Sequence, residues 1–329
     1  MSKYLKLSLL FIISVAGLYF AFSGEDFESF RHNISDVKIN GICIAVVLLI
    51  FSCVPRAFRW KLLIEPFESM SFHHVFSATM IGYFGNGILV FRLGEFLKAY
   101  ALAKDHKITV PQAFGTVIAE RILDLLMVLL IFLIIIPAFP LNDQKIKIGI
   151  FLSISVVVFI ITSIVVAYKL DFINKISKYN IFMTNYGEKV ISTIQKLFEG
   201  IVAVFKNEKF FLIIFLSLLI WGVYFFIGVI VLEACDISLG YAEIGVLLVI
   251  SSFILGIPSL PGAAGTLDVG VKYTLILIFQ ISSSKALTYA VISHAVSLFP
   301  LLVIGFVYFF ISNVSIQEVK KSKLTNEEV

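Results

Sequence analysis

Three charged residues interrupt a stretch of sequence that is otherwise strongly apolar. Glu120 and Asp124 share one face of a helix, and Arg121 is three residues from Asp124, close enough to pair with it. Only Leu125–Ile136 then remains before the next proline, about 18 Å of helix, which cannot cross a hydrocarbon core of about 30 Å. The charged turn is therefore predicted to lie within a membrane, where ionisable side chains are costly and usually functional. It is either an internal ion pair that joins two helices or a polar wall that contacts a lipid head group.

A second group of polar residues lies in Phe72–Ala103, an apolar segment interrupted by glycines and charges. Glu95 and Lys98 are one helical turn apart. The glycines of this segment permit tight backbone turns, so we predict a helical hairpin that enters a membrane and returns. Its candidate substrate-binding residues are Asn86, Arg92, Glu95 and Lys98.

A matching interruption, rich in proline and glycine, breaks the apolar segment Ile244–Ile281. A helix that begins near Thr266 would offer free backbone N–H groups, which suit a phosphate. The alternative is an ordinary helix cap made by Asp268. The candidate substrate-binding residues here are Pro261, Gly262, Gly265, Asp268 and Lys272.

Three further residues end the second apolar segment, and one lies in the last. Arg56 and Arg59 share a helical face beside Trp60, and they either anchor the helix at the inner interface or capture an anionic lipid head group there. His294 is either a packed core histidine or a proton relay.

Composition limits the class of protein that could carry these residues. Hydrophobic residues make up 59% of the 329 residues and charged residues 15%, against about 45–50% and about 25% in soluble domains. This excludes an ordinary soluble enzyme and favours an all-α polytopic membrane protein. The histidines and the three cysteines form no metal-ligand pattern, so we expect no metal and no cofactor.

Hydropathy and loop charge together predict the topology. Because lysine and arginine collect on the cytoplasmic side, we place both termini in the cytoplasm and the protein in the cytoplasmic (inner) membrane. The charges then require both interrupted segments to return to the side they entered from. The six predicted spans are Tyr4–Phe22, Ile39–Val54, Ala113–Phe139, Ile148–Tyr168, Phe210–Leu232 and Ala286–Ile311.

Each half of the chain then has the same order of elements but the opposite orientation. This inverted repeat is a common plan of secondary transporters, whose broken helices form the transport site; eight ordinary kinked spans are the alternative. We treat 1–329 as a single domain with a first repeat of about 4–139, a second of about 148–312 and a polar tail, 313–329. Amphipathic spacing predicts a cytoplasmic helical hairpin over about 171–207, either a linker or a regulatory element.

Four motifs in order resemble the lysylphosphatidylglycerol synthase transmembrane-region family, which includes the flippase module of multiple peptide resistance factors. The resemblance covers about 5–312. Two departures are Ala263, where the family usually has a second glycine, and Asp268, where glutamate is expected. The motifs are Arg56-x-x-Arg59-Trp60, then Gly82 to Lys98 with Asn86 and Arg92-x-Gly94-Glu95, then Glu120-Arg121-x-x-Asp124, then Pro258-x-x-Pro261-Gly262-x-x-Gly265.

The resemblance implies lipid translocation. In the resistance factors, this module flips an aminoacylated phospholipid that a separate soluble synthase domain makes. This chain has no long polar region that could form such a domain, so we do not expect it to make the lipid itself. Other members of the family accompany glycan or lipid-modification pathways. The expected cargo is a polyprenyl-phosphate-linked sugar or an aminoacylated phospholipid, and the expected partners are membrane lipids and a glycosyltransferase or lipid synthase, with no nucleic acid. Arg92, Arg121 and Lys272 would contact phosphate. A membrane-embedded transferase and an accessory subunit remain the alternatives to this non-enzymatic reading.

Overall fold

The computed structural model describes residues 15–24, 26–138, 185–257 and 259–312, together with scattered positions between 148 and 166. This part of the chain forms helices and connecting turns, with no strand. Residues 15–22 are helical. The α-helices that follow are α1 (Phe27–Ser35), α2 (Ile39–Ile64), α3 (Phe72–Ile88), α4 (Gly94–Ala103), α5 (Val110–Ile135), α6 (Asn185–Lys206), α7 (Phe210–Ala234), α8 (Tyr241–Gly256), α9 (Thr266–Leu277) and α10 (Ser283–Ile311).

Four of the predicted spans are confirmed as apolar helices of membrane-spanning length. They are α2, α5 with its short 3-10 extension to Ala138, α7 and α10. Their outer faces leave large apolar side chains uncovered, such as Phe211, 86% exposed, and Phe310, 69% exposed. Soluble monomers rarely expose such apolar surface, so these faces are suited to lipid.

Several predictions fall wholly or partly outside the described residues. The first predicted span is described only over 15–22, and Ile148–Tyr168 only at scattered positions. Of the predicted cytoplasmic hairpin over 171–207, the structure describes one helix, α6, which packs along α5. Pro258 and the tail 313–329 lie outside the described residues.

The two interrupted segments each form a helix, a break and a second helix. We call 89–93, between α3 and α4, the first break, and 257–265, between α8 and α9, the second break. In the second, the Asp268 carboxylate accepts a hydrogen bond from the Gly265 N–H (2.9 Å) and so caps α9. Asp268 therefore already occupies the helix end where we predicted phosphate contact.

The first segment begins and ends at the same end of the bundle. Glu68, just before α3, accepts hydrogen bonds from the backbone N–H groups of Lys107 (2.8 Å) and Ile108 (3.0 Å), just after α4. The hydrogen bond between Glu68 and His106 lowers the pKa of the Glu68 carboxyl. We call this the Glu68 end; the Lys209–Glu65 ion pair lies there too.

The second segment begins and ends at the opposite end. Asp236, just before α8, pairs with Lys285 at the start of α10 (2.7 Å), and the hydrogen bond from Lys285 lowers the Asp236 pKa. Asn33 donates to Ser284 at the same place (3.1 Å). We call this the Asp236 end.

Two apolar cores support the two segments. One surrounds α4 and includes Trp60, Leu97 and Leu102, and the other surrounds α9 and includes Leu267 and Leu275. Both breaks reach towards the middle of the bundle, where they contact each other. The fold thereby brings the polar residues of both segments to one place.

Candidate functional site

A cavity of ≈ 200 Å³ lies where the two breaks meet. Its walls come from α2, α3, α4, α5, α8, α9 and α10 as well as from both breaks. Predicted site residues that line it are Arg56, Asn86, Arg92, Glu95, Lys98, Arg121, Gly262 and His294.

Left-handed backbone shapes both breaks. In the first break, Phe91 (φ 58°) and Arg92 (φ 55°) are consecutive non-glycine residues with positive φ. In the second, Gly262 (φ 67°) is followed by Ala263 (φ 62°). Positive φ is costly for residues with a Cβ, and such strain clusters at functional sites. Each break therefore uses two successive left-handed residues to turn the chain at the cavity.

Close packing of α3 against α4 sets the position of the first break. A Cβ on Gly85 would lie 2.7 Å from the Gly94 Cα. Real Cβ atoms do not approach other atoms so closely, and this contact brings α4 directly against α3. The approach carries Glu95, the next residue of α4, and Lys98, one turn further along, to the cavity wall.

Asp124 lies behind the cavity and is contacted by three guanidinium groups. Arg59 donates to its Oδ1 (2.8 Å), and Arg56 (3.3 Å) and Arg121 (3.2 Å) approach its Oδ2. The predicted pairing of Arg121 with Asp124 is confirmed by this geometry. Two helices, α2 and α5, are thus joined through one carboxylate.

Glu120 is completely buried and makes a second set of contacts. Its Oε2 accepts a short hydrogen bond from the Lys98 ammonium, and Arg59 lies 3.5 Å from its Oε1. The Lys98 nitrogen also lies over the Trp60 ring, 3.8 Å from its centroid. These contacts favour the structural interpretation of Glu120, an internal ion pair that joins α4 to α5.

Arg56, Arg59 and Trp60, for which we predicted anchoring or head-group capture at the inner interface, are buried among the helices of the bundle. Arg59 and Trp60 are fully buried; Arg59 bonds to Ser217 (2.9 Å) and Trp60 to Thr116 (2.9 Å). Arg56 lines the cavity and bonds to Tyr224 (3.2 Å). The physical reason is Asp124, which draws both arginines inward.

Arg121 and Glu95 connect this buried network to the cavity. Arg121 is 37% exposed and lies 3.8 Å from the Glu95 carboxylate. Asn86 donates to the same carboxylate at 3.4 Å. Arg121 and Glu95 therefore face the cavity while each remains in contact with neighbouring polar side chains.

Arg92 differs from the other cations of the site. It lies in the first break, lines the cavity and is exposed. Within the described part of the chain it makes no hydrogen bond and no ion pair. Its guanidinium is therefore available to a ligand without first losing a protein partner.

The site as a whole carries more positive than negative charge. Arg56, Arg59, Arg92, Lys98 and Arg121 are opposed by Glu95, Glu120 and Asp124, which leaves an excess of two positive charges. A cationic cavity attracts an anionic group. Phosphate and carboxylate are the groups that arginine binds best.

His294 of α10 lines the opposite wall and contacts Asp268 of α9, just after the second break. His294 Nδ1 lies 2.8 Å from Asp268 Oδ1, and its Nε2 lies 2.8 Å from the Gly262 carbonyl oxygen. Pro261 and Gly265 form the backbone of this break. Lys272 was predicted at the site, but it does not line the cavity and donates instead to the Ala21 carbonyl (2.6 Å).

Comparison with known proteins identifies the family of the chain. The model of the lysylphosphatidylglycerol synthase transmembrane-region family matches residues 7–305. The chain belongs to this family. A UPF0104 membrane protein of Methanocaldococcus jannaschii is 29% identical over 221 residues, which span 62% of this chain and 62% of that relative. No solved structure matches the chain.

Several site residues of this family member were not predicted. Ser217 and Tyr224 on α7 hold the two arginines of α2, and Tyr83 lines the cavity. A signal did exist, since Ser217 and Tyr224 are polar residues two helical turns apart within a very apolar helix. Membership of the family and the apolar helices establish a membrane protein with a lipid-related role.

Proposed function

We propose that this protein translocates a lipid with an anionic head group through the cavity between the two breaks. The supporting observation is the excess of positive charge around that cavity, with Arg92 exposed and unpaired at its wall. The head group would pass through the polar interior, and its acyl or prenyl chains would remain in lipid. The cargo classes that fit are a polyprenyl-phosphate-linked sugar and an aminoacylated phospholipid, since both present a phosphate.

In this proposal the two segments α3–α4 and α8–α9 are re-entrant hairpins from opposite sides of the membrane. Each begins and ends at one end of the bundle, and the breaks contact each other in the middle. Irregular backbone at membrane depth is tolerated where it lines a polar cavity. The protein would lie in the cytoplasmic membrane with both termini inside, beside a glycosyltransferase or lipid synthase that supplies the cargo.

A transport assay in vesicles tests the proposal. Vesicles that contain the purified protein and a trace of phosphatidylglycerol with a fluorescent acyl chain are treated with an impermeant quencher of the fluorophore. We expect the wild type to expose the inner-leaflet probe, and protein-free vesicles to protect it. Protection equal to that of protein-free vesicles would contradict translocation of this probe class.

A pair of variants links the transport to the cavity. Arg92→Gln removes the unpaired cation and should slow the probe about tenfold, because a charge-assisted hydrogen bond contributes about 1.5–3 kcal/mol. Arg31→Gln is the matched control, since Arg31 is exposed on α1 and does not line the cavity. Equal slowing by both changes would show that the site is not specific.

A membrane-embedded transferase is the second candidate function. It is favoured by Glu95, a carboxylate on the cavity wall that is positioned by Arg121 and Asn86 and could act as a general base. Mass spectrometry of the probe recovered after the assay separates the two, because a transferase changes the lipid covalently. A third reading, an accessory subunit, predicts that Arg92→Gln leaves function unchanged.

A further inference from the structure

The histidine on the cavity wall faces a hydrogen-bond acceptor at each ring nitrogen. The Gly262 carbonyl oxygen can only accept, so His294 Nε2, 2.8 Å away, must carry a proton. At the other nitrogen, Nδ1 lies 2.8 Å from Asp268 Oδ1. A hydrogen bond there needs a second proton, placed either on the ring or on the carboxyl.

Counting protons fixes the state that this geometry requires. An ionised carboxylate beside a neutral imidazole with its proton on Nε2 would bring two lone pairs together across 2.8 Å. The observed contact thus belongs to the pair with one additional proton, and loss of that proton turns an attraction into a repulsion. Asp268 is 8% exposed and His294 12% exposed, so little water is present to screen the change.

We propose that Asp268 and His294 together bind one exchangeable proton, and that this proton closes a latch between the second break and α10. The latch has three contacts: His294 to Asp268, His294 to Gly262, and Asp268 to the Gly265 N–H. It ties both sides of the strained turn at Gly262 and Ala263 to one helix. The proton leaves to the cavity, which His294 lines.

Other charged groups face His294 across the cavity. From α2, the first break, α4 and α5, these are Arg56, Arg92, Glu95, Lys98 and Arg121. Tyr83 of α3 is the further titratable group on the wall. Lys272 shares α9 with Asp268 but bonds to Ala21 on the helix 15–22. An anionic head group that enters the cavity would offset the cations and so favour the protonated pair, which couples cargo to proton.

The two halves of the molecule differ in this respect. The first segment is tied to the following helix by Lys98 and Glu120, an ammonium and a carboxylate. The second is tied by an imidazole and a carboxylate, and imidazole is the side chain whose charge changes nearest neutral pH. Proton exchange would therefore release the second break while the first stays closed.

Nitrogen NMR of the full-length protein tests for the proton. With ¹⁵N-labelled histidine in lipid nanodiscs, we expect one ring at neutral pH that is doubly protonated or hydrogen-bonded to a carboxyl proton, and His294→Gln should remove that signal. Infrared difference spectra of the wild type and Asp268→Asn would show a protonated carboxyl if the proton is on Asp268. A neutral His294 together with an ionised Asp268 at neutral pH would overturn the proposal.

Hydrogen exchange of the second break tests the latch. In the wild type, exchange corrected for intrinsic pH dependence should rise at least about tenfold between about pH 6 and about pH 9 in residues 259–268. Asp268→Asn supplies an N–H to Nδ1 and a carbonyl to Gly265 without any titrating proton, so the rise should be absent. A pH-independent wild type, or a variant with the same rise, would contradict the latch.

Residues 88–97, around the first break, serve as the internal control for general loosening of the structure in the exchange experiment.

Only the coupling of the proton to transport depends on the proposed function. If spectroscopy detects the proton and hydrogen exchange detects the latch, but no lipid moves in vesicles, the latch is supported and the translocation proposal is contradicted. If lipid moves but the proton is not detected, translocation is supported and the latch is contradicted.

Discussion

At the scale of single residues, the buried carboxylates and the cavity cations have different roles. Asp124 and Glu120 lie behind the wall and are held by cations from other helices, whereas Arg92 lies on the wall and makes no hydrogen bond or close ion pair with the described residues. Substitution of the carboxylates should therefore affect stability, and substitution of Arg92 should affect binding.

Asp124→Asn tests the stabilising role. It leaves the guanidinium groups of Arg56, Arg59 and Arg121 without their shared anion, and breaking a buried ion pair costs about 3–5 kcal/mol. We expect a clear fall in thermal stability in detergent. The control is Glu65→Gln, since Glu65 and Lys209 form an exposed pair worth about 0–1 kcal/mol. Equal effects of the two substitutions would contradict the buried network.

Ala263→Gly should make the protein more stable. Ala263 has φ 62°, a conformation that glycine adopts freely and that costs other residues about 1–2 kcal/mol. The neighbouring Ala264 has φ −54°, so Ala264→Gly relieves no such strain and should be neutral or destabilising. Thermal unfolding of both variants measures the difference, and a stabilising Ala264→Gly would refute this explanation.

At the scale of elements, the site depends on how closely paired helices approach. The α3–α4 pair is set by glycine contacts, and the α9–α10 pair by the side chains of Asp268 and His294. Each break is thus held at the cavity by a different kind of contact.

Gly85→Ala tests the α3–α4 contact. The added methyl group would lie 2.7 Å from the Gly94 Cα, and overpacking of this kind costs about 1–3 kcal/mol. Gly222→Ala is the matched control within α7, because nothing lies within 4 Å of its Cβ position, and alanine stabilises a helix interior by about 0.5–1 kcal/mol. The two changes should shift the melting temperature in opposite directions, and a shared direction would contradict the close packing.

The sequence predicted the helices of spanning length and named the charged residues that line the cavity, but not Tyr83 or the depth of every side chain. Long apolar runs and their interruptions are local signals, so α2, α5, α7 and α10 could be located. The buried positions of Arg59 and Lys272 could not be predicted, because their partners Asp124 and Ala21 are distant in sequence. Basic residues at a helix end look alike in sequence whether they face the interface or a buried carboxylate.

At the scale of the whole molecule, the Glu68 end and the Asp236 end should lie on opposite sides of a membrane. Single cysteines at Glu68 and Lys107 should react with an impermeant reagent from one side, and cysteines at Asp236 and Ser283 from the other. The test uses a variant in which the native cysteines Cys43, Cys53 and Cys235 have been replaced. Labelling of Glu68 and Lys107 from opposite sides would show that α3–α4 crosses the membrane, and the re-entrant arrangement would be wrong.

The hydrogen bond from Lys272 to Ala21 has a consequence for biogenesis. Its partners are 251 residues apart, so the helix 15–22 finds this contact only after α9 has been made. A contact of such long range forms late and slowly, and until then the ammonium of Lys272 has no Ala21 carbonyl to bind. A chain that stalls before α9 leaves the helix 15–22 without this contact.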